Sequence, residues 1–159
     1  MDDELVRIRR SRPENVKVTL MTSDKEIRPI GPIEFRTELE TNYLTLSLST
    51  RWDESLFTEF SGTDACLVVH SPEEFCERIH IAAALLLQDW SGLDAAVQYG
   101  GKSPLGVAYT KPDSFVNQQE YRFSWLPPVA KKELEPITVT IGNIERIAEI
   151  VLKPASTFT

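Results

Sequence analysis

Only two cysteines, Cys66 and Cys76, and two histidines, His70 and His80, occur in the 159 residues. All four fall between positions 66 and 80, yet they form no Cys-x-x-Cys pair and match no standard zinc spacing. The cysteines read as free thiols that pack, and no metal site is expected. No stretch approaches the ~18 uninterrupted apolar residues of a membrane span. The first ten residues are charged rather than apolar, unlike a signal peptide, so a cytoplasmic location is expected. Also missing are a glycine-rich phosphate loop, a Gly-x-Ser-x-Gly elbow, His-Glu-x-x-His and an Asp-rich calcium loop. These absences exclude several enzyme classes without excluding enzymes. There is no internal repeat and no low-complexity segment.

Positive charge is scarce in the middle. The chain has 24 acidic and 17 basic residues, a net charge of −7. Residues 37–99 hold 11 acidic and 2 basic ones, a net of −9, and the flanking parts are nearly neutral. Such a centre repels phosphate backbones and argues against nucleic-acid binding. Arg7, Arg9, Arg10 and Arg12 cluster near the start and read as a solvated arm. The acidic centre instead suits a protein partner with a basic surface, or solubility alone.

Hydrophobic periodicity supplies the elements. Residues 16–21 and 43–49 alternate as strands, and residues 65–69 form an apolar run suited to a strand buried on both faces. Residues 51–60 space Trp52, Leu56, Phe57 and Phe60 as a short helix. Ser71 as cap, Pro72 at the first helical position and Glu74 at the capping-box spacing begin the main helix. Phe75, Ile79, Ala82, Ala83 and Leu86 form its apolar stripe up to Gln88, and 89–92 stop it. Strands are expected at 95–99, 106–110, 120–125, 137–141 and 149–153, with a helical turn at 144–147. The expectation is an N-terminal arm (1–15), one α+β domain (16–153) and a tail (154–159). Its sheet should be mixed and mostly antiparallel, with one long helix packed on a face.

The densest polar stretch is 111–125. On a strand from Glu120, the residues Glu120, Arg122 and Ser124 share one face and Tyr121, Phe123 and Trp125 the other. Glu120 and Arg122 then stand about 7 Å apart, close enough to meet or to flank a ligand.

Around this strand, the Lys-Pro-x-x-Phe lead-in at 111–115, Glu-Tyr-Arg-Phe at 120–123 with Trp125, and Ile-Thr-Val-Thr-Ile-Gly-Asn-Ile from 137 to 144 carry a resemblance. So do residues 43–49, Asp-Ala-Cys-Leu-Val-Val at 64–69 and Pro72-x-x-Phe75. Over roughly 43–150 the chain resembles a broad bacterial family of unknown function, often labelled abortive-infection or phage-resistance proteins. The resemblance implies a phage-defence or toxin-related setting; the acidic middle, the small size and the absence of a complete catalytic constellation suggest a non-catalytic, protein-binding module, with no cofactor expected. A second resemblance is to ADP-ribosyltransferases, through Gln118-x-Glu120 and Ser47-Leu48-Ser49-Thr50. It implies an enzyme using NAD: Glu120 as catalytic carboxylate, Gln118 orienting the acceptor, and the Ser-Thr strand shaping the nicotinamide pocket. An arginine of the first strand region would then hold the phosphates. The candidate site residues are thus Glu120, Arg122 and Gln118 for catalysis and Lys111, Tyr121, Ser47 and Ser49 for ligand binding.

Overall fold

The computed structural model describes residues 39–154 in full and, before them, the backbone of four strands. In chain order the elements are β1 (Val6–Ser11), β2 (Val18–Thr19), β3 (Glu26–Ile27), β4 (Ile33–Glu38), β5 (Leu44–Ser49), α1 (Leu56–Glu59), β6 (Ala65–Val69), α2 (Pro72–Leu86), β7 (Ser91–Ala96), β8 (Gln98–Tyr99), β9 (Thr110–Lys111), β10 (Glu120–Leu126) and β11 (Ala148–Leu152). Helices and antiparallel ladders together make an α+β fold.

Alternation in β10 organises the centre. This strand lies between β5 and β7, antiparallel to both, with Arg122 opposite Ser47 and Ala95, and Phe123 opposite Leu46 and Asp94. Phe123 and Trp125 point to the side of α2, where Phe75, Ile79, Ala83 and Leu87 meet them in the core together with Ile147. The stripe buries one face of the helix and leaves Ile81 and Leu85 exposed on the other; Leu86, expected in the stripe, is exposed as well, and Leu87 is buried in the core instead. Gly92 permits a close approach between β7, β10 and α2: a Cβ there would stand 3.1 Å from the Trp125 indole nitrogen and 3.2 Å from His80 Nδ1.

Several elements differ from the periodicity. Residues 6–11, within the stretch read as an arm, form β1 and pair with β4. Of the strand expected at 16–21, only β2 lies within the described residues. The run 65–69 is not central among the described residues: there β6 pairs with β11 alone, and its Leu67 is exposed opposite Ile150. Ser71 occupies the cap position of α2 but makes no side-chain capping bond. Residues 107–109 form a 3-10 turn instead of a strand, entered through Gly106 at φ +89° and tied by Thr110 Oγ1 donating to the Gly106 carbonyl at 3.0 Å. Residues 137–141 have no partner strand among the described residues; Val139 and Ile141 pack against the core without joining a ladder there.

Candidate functional site

The face of β10 away from α2 is polar and buried. Glu120, Arg122 and Ser124 are 4%, 1% and 0% exposed, so these groups are sealed inside the molecule. The segment between β7 and β10 closes over them: β8 and β9 pair in parallel, and the Tyr99 hydroxyl accepts a hydrogen bond from the Glu120 backbone N–H at 2.8 Å.

Three side chains converge on the Glu120 carboxylate. Arg122 Nε donates to Oε1 at 2.6 Å, Ser47 Oγ donates to the same oxygen at 2.6 Å, and Lys111 Nζ stands 2.8 Å from Oε2. Burial alone would raise the pKa of this carboxyl, but the hydrogen bonds from Arg122, Lys111 and Ser47 outweigh it and hold the group at about 2. Arg122 also donates to the Ala108 carbonyl at 2.6 Å and to the Tyr43 hydroxyl at 3.3 Å. Lys111 donates to Gln118 Oε1 at 3.1 Å and lies over the Phe115 ring. Further along the face, the Tyr109 hydroxyl donates to the Leu93 carbonyl at 2.7 Å and lies 2.6 Å from Ser124 Oγ. Burial pushes the Tyr109 phenol up in pKa, so it remains a neutral donor.

Glu120, Arg122, Lys111 and Ser47 are therefore brought together, and Gln118 joins through Lys111. Ser49 and Tyr121 are not part of the cluster. Ser49 Oγ accepts from the Arg51 backbone N–H at 3.2 Å. Tyr121 lies on the α2 side, where its hydroxyl hydrogen-bonds Asp94 Oδ2. His80 Nε2 stands 2.6 Å from the other oxygen of Asp94, and the His80 ring packs tilted against Phe123 and Trp125.

This second polar cluster, of Asp94, His80 and Tyr121, escaped the sequence reading. Burial pushes the Asp94 carboxyl up, but the bonds from Tyr121 and His80 prevail and lower it. The bond to Asp94, with burial second, drives the Tyr121 phenol up to about 12. Cys76, one turn before His80 on α2, has its thiol pushed up by burial and by Asp94 and Glu73, so it is held as the unreactive neutral form at pH 7. The available signal was the i, i+4 pair Cys76 and His80 on the face that also carries Ile79; the partner Asp94 lay just past the residues read as a helix stop.

The four cysteine and histidine residues considered for zinc do not assemble. His70 Nε2 instead meets Glu149 Oε1 at 3.1 Å on the surface, and among the described residues no three His, Cys, Asp or Glu side chains are grouped to hold a metal. No helix among them is long and apolar enough to cross a membrane. Comparison with protein families, with curated proteins and with solved structures returns no match.

Proposed function

We propose that the protein acts by binding a protein partner with a basic surface, and that the cluster around Glu120 holds the fold instead of performing chemistry. The observation that carries this reading is the engagement of the carboxylate. It is 4% exposed and already bound by Arg122, Lys111 and Ser47. With a pKa near 2 it has no proton to give at neutral pH. Most of the described acidic side chains of the centre, by contrast, face solvent: Glu40, Asp53, Glu54, Glu59, Asp64, Glu73 and Glu77 are all exposed. That distribution steers a basic partner and weakens with salt. A phage-defence or toxin-related setting rests on the sequence resemblance alone.

The test is affinity capture from the source cell at low and high salt, using the wild-type chain and E73K/E77K. A partner is expected at low salt, reduced at high salt and with the charge-reversed chain. Capture of nothing, or of a partner indifferent to both changes, sinks the reading.

A second reading, an ADP-ribosyltransferase-like enzyme, is favoured by the Ser47 to Glu120 hydrogen bond, since that resemblance places a Ser-Thr strand beside its catalytic carboxylate. In this reading NAD is the substrate and the conjugated group passes to an acceptor oriented by Gln118. Release of nicotinamide from labelled NAD, abolished in a folded E120Q chain, would establish it and displace the first reading.

A further inference from the structure

On the α2 side of the central sheet, away from Glu120, a cavity of about 630 Å³ opens between the end of β5, α1, β6 and the first turn of α2. Its size is that of a small-molecule pocket, where apolar walls and a few placed polar groups are the usual construction. Leu48, Val69 and Phe75 give it an apolar wall, and Trp52 and Tyr121 add aromatic rings. The charge around it is one-sided. Residues 48–77, which supply the end of β5, α1, β6 and the first turn of α2, hold 7 acidic residues and 1 basic one, Arg51. Two carboxylates stand in the wall itself, Glu73 from this stretch and Asp94 from β7.

We propose that this cavity binds an organic amine in its ammonium form, the apolar body lying against Leu48, Val69 and Phe75 and the ammonium group donating to Asp94 within the field of Glu73. Asp94 has room for a further donor. His80 Nε2 and the Tyr121 hydroxyl engage one oxygen each, and a carboxylate has about four acceptor sites. The Tyr121 hydroxyl donates to Asp94, so its own oxygen is free to accept from an N–H group as well. Cys76, in the wall one turn after Glu73, reports the local field. Burial comes first in pushing its thiol up in pKa, and the charges of Asp94 and Glu73 push the same way. The interaction that opposes a thiolate there favours a cation. Arg51 is the only basic residue of the wall among the described residues, but its Nε is enclosed and does not face the cavity, and its charge acts on the exposed Asp53 outside the wall. The positive end of α2 opens on the same wall, where the full charge of Glu73 in the first turn outweighs the roughly half charge of a helix end. An anion would be opposed by both wall carboxylates, and a neutral ligand would gain nothing from them.

The test uses the purified chain without a partner, so failure here leaves the partner reading standing, and the reverse. Decylamine hydrochloride, decanol and decanoate, each below its micelle range at neutral pH, are titrated by calorimetry and by tryptophan fluorescence, for which Trp52 is the reporter in the wall. One decylammonium per chain is expected, bound at least about tenfold more tightly than decanol, the margin of one charge-assisted hydrogen bond. Decanoate should be the weakest of the three. D94N should bring decylammonium down to the level of decanol, and E73Q should weaken it by about threefold, both leaving decanol unchanged. E73Q, on the exposed first turn of α2, carries the test should D94N fail to fold. E59Q removes the same charge from α1, outside the wall, and should leave all three probes unchanged, which separates the cavity from the general attraction of an acidic chain. Equal affinity for the three probes, a preference for decanoate, folded E73Q and D94N chains that bind decylammonium as the wild type does, or an E59Q chain that loses as much as E73Q would each overturn the proposal.

Discussion

Glu120 and Arg122 show how two ordinary residues become costly to separate. Each is almost wholly enclosed, so removing one takes from the other a charged partner in a place where water does not replace it. E120Q and R122M are each expected to lower unfolding free energy by about 3–5 kcal/mol. The double variant should cost less than the sum of the two, a coupling measurable by urea denaturation. Acid should act on the same bond. The native pKa of about 2 lies below the ordinary 4.5, so the ionised form favours the folded chain. Its contribution is complete above the unfolded value and is lost as pH falls from there towards 2. In E120Q the acid side of the stability profile should therefore flatten.

Tyr121 has the opposite sign. Its phenol is raised from 10 to about 12, so the neutral form favours the folded chain. Its contribution is present below pH 10 and is lost as pH rises towards 12. Y121F should cost about 1 kcal/mol through the lost hydrogen bond to Asp94 and should flatten the alkaline limb seen by thermal melts across pH.

At the scale of elements, α2 separates what packs from what merely is apolar. Ile79 is 4% exposed and Leu85 is 75% exposed, though both are large aliphatic side chains on one helix. I79A is expected to cost about 2–5 kcal/mol, whereas L85Q should stay within about 0.5 kcal/mol. Gly92 tests the seam between α2 and β10. G92A places a methyl group 3.1 Å from Trp125 and 3.2 Å from His80, and should destabilise by about 1–3 kcal/mol by overpacking. The helix and the strands β5 and β10 were legible because each repeats its own period over six or more residues. Residues 107–109 and 137–141 misled because β-branched or apolar content says that a segment fits a sheet, not that a partner strand is there.

For the molecule as a whole, charge and the site are separate matters. The net of −7 comes from the region 37–99, while Glu120, Arg122 and Lys111 lie in a nearly neutral part of the chain. Association with a basic partner should therefore slow as salt rises, read as a falling on-rate in surface-binding kinetics. The stability lost in E120Q should change little with salt, because a buried pair is screened far less than a surface one.

Sequence alone determined the faces. Strict alternation in β10 puts Glu120 and Arg122 on one side and Phe123 and Trp125 on the other, and the helical spacing from Phe75 to Ala83 selects the side that α2 covers. It could not determine that the polar side is covered as well. That depends on residues 97–119 folding back over the strand, through contacts such as Tyr99 to Glu120 that join positions 21 apart. A charged pair on an open strand face is a weak surface feature. Enclosed, the same pair loses its water and must be satisfied by Lys111, Ser47 and the Ala108 carbonyl, so only the tertiary structure made it part of the core.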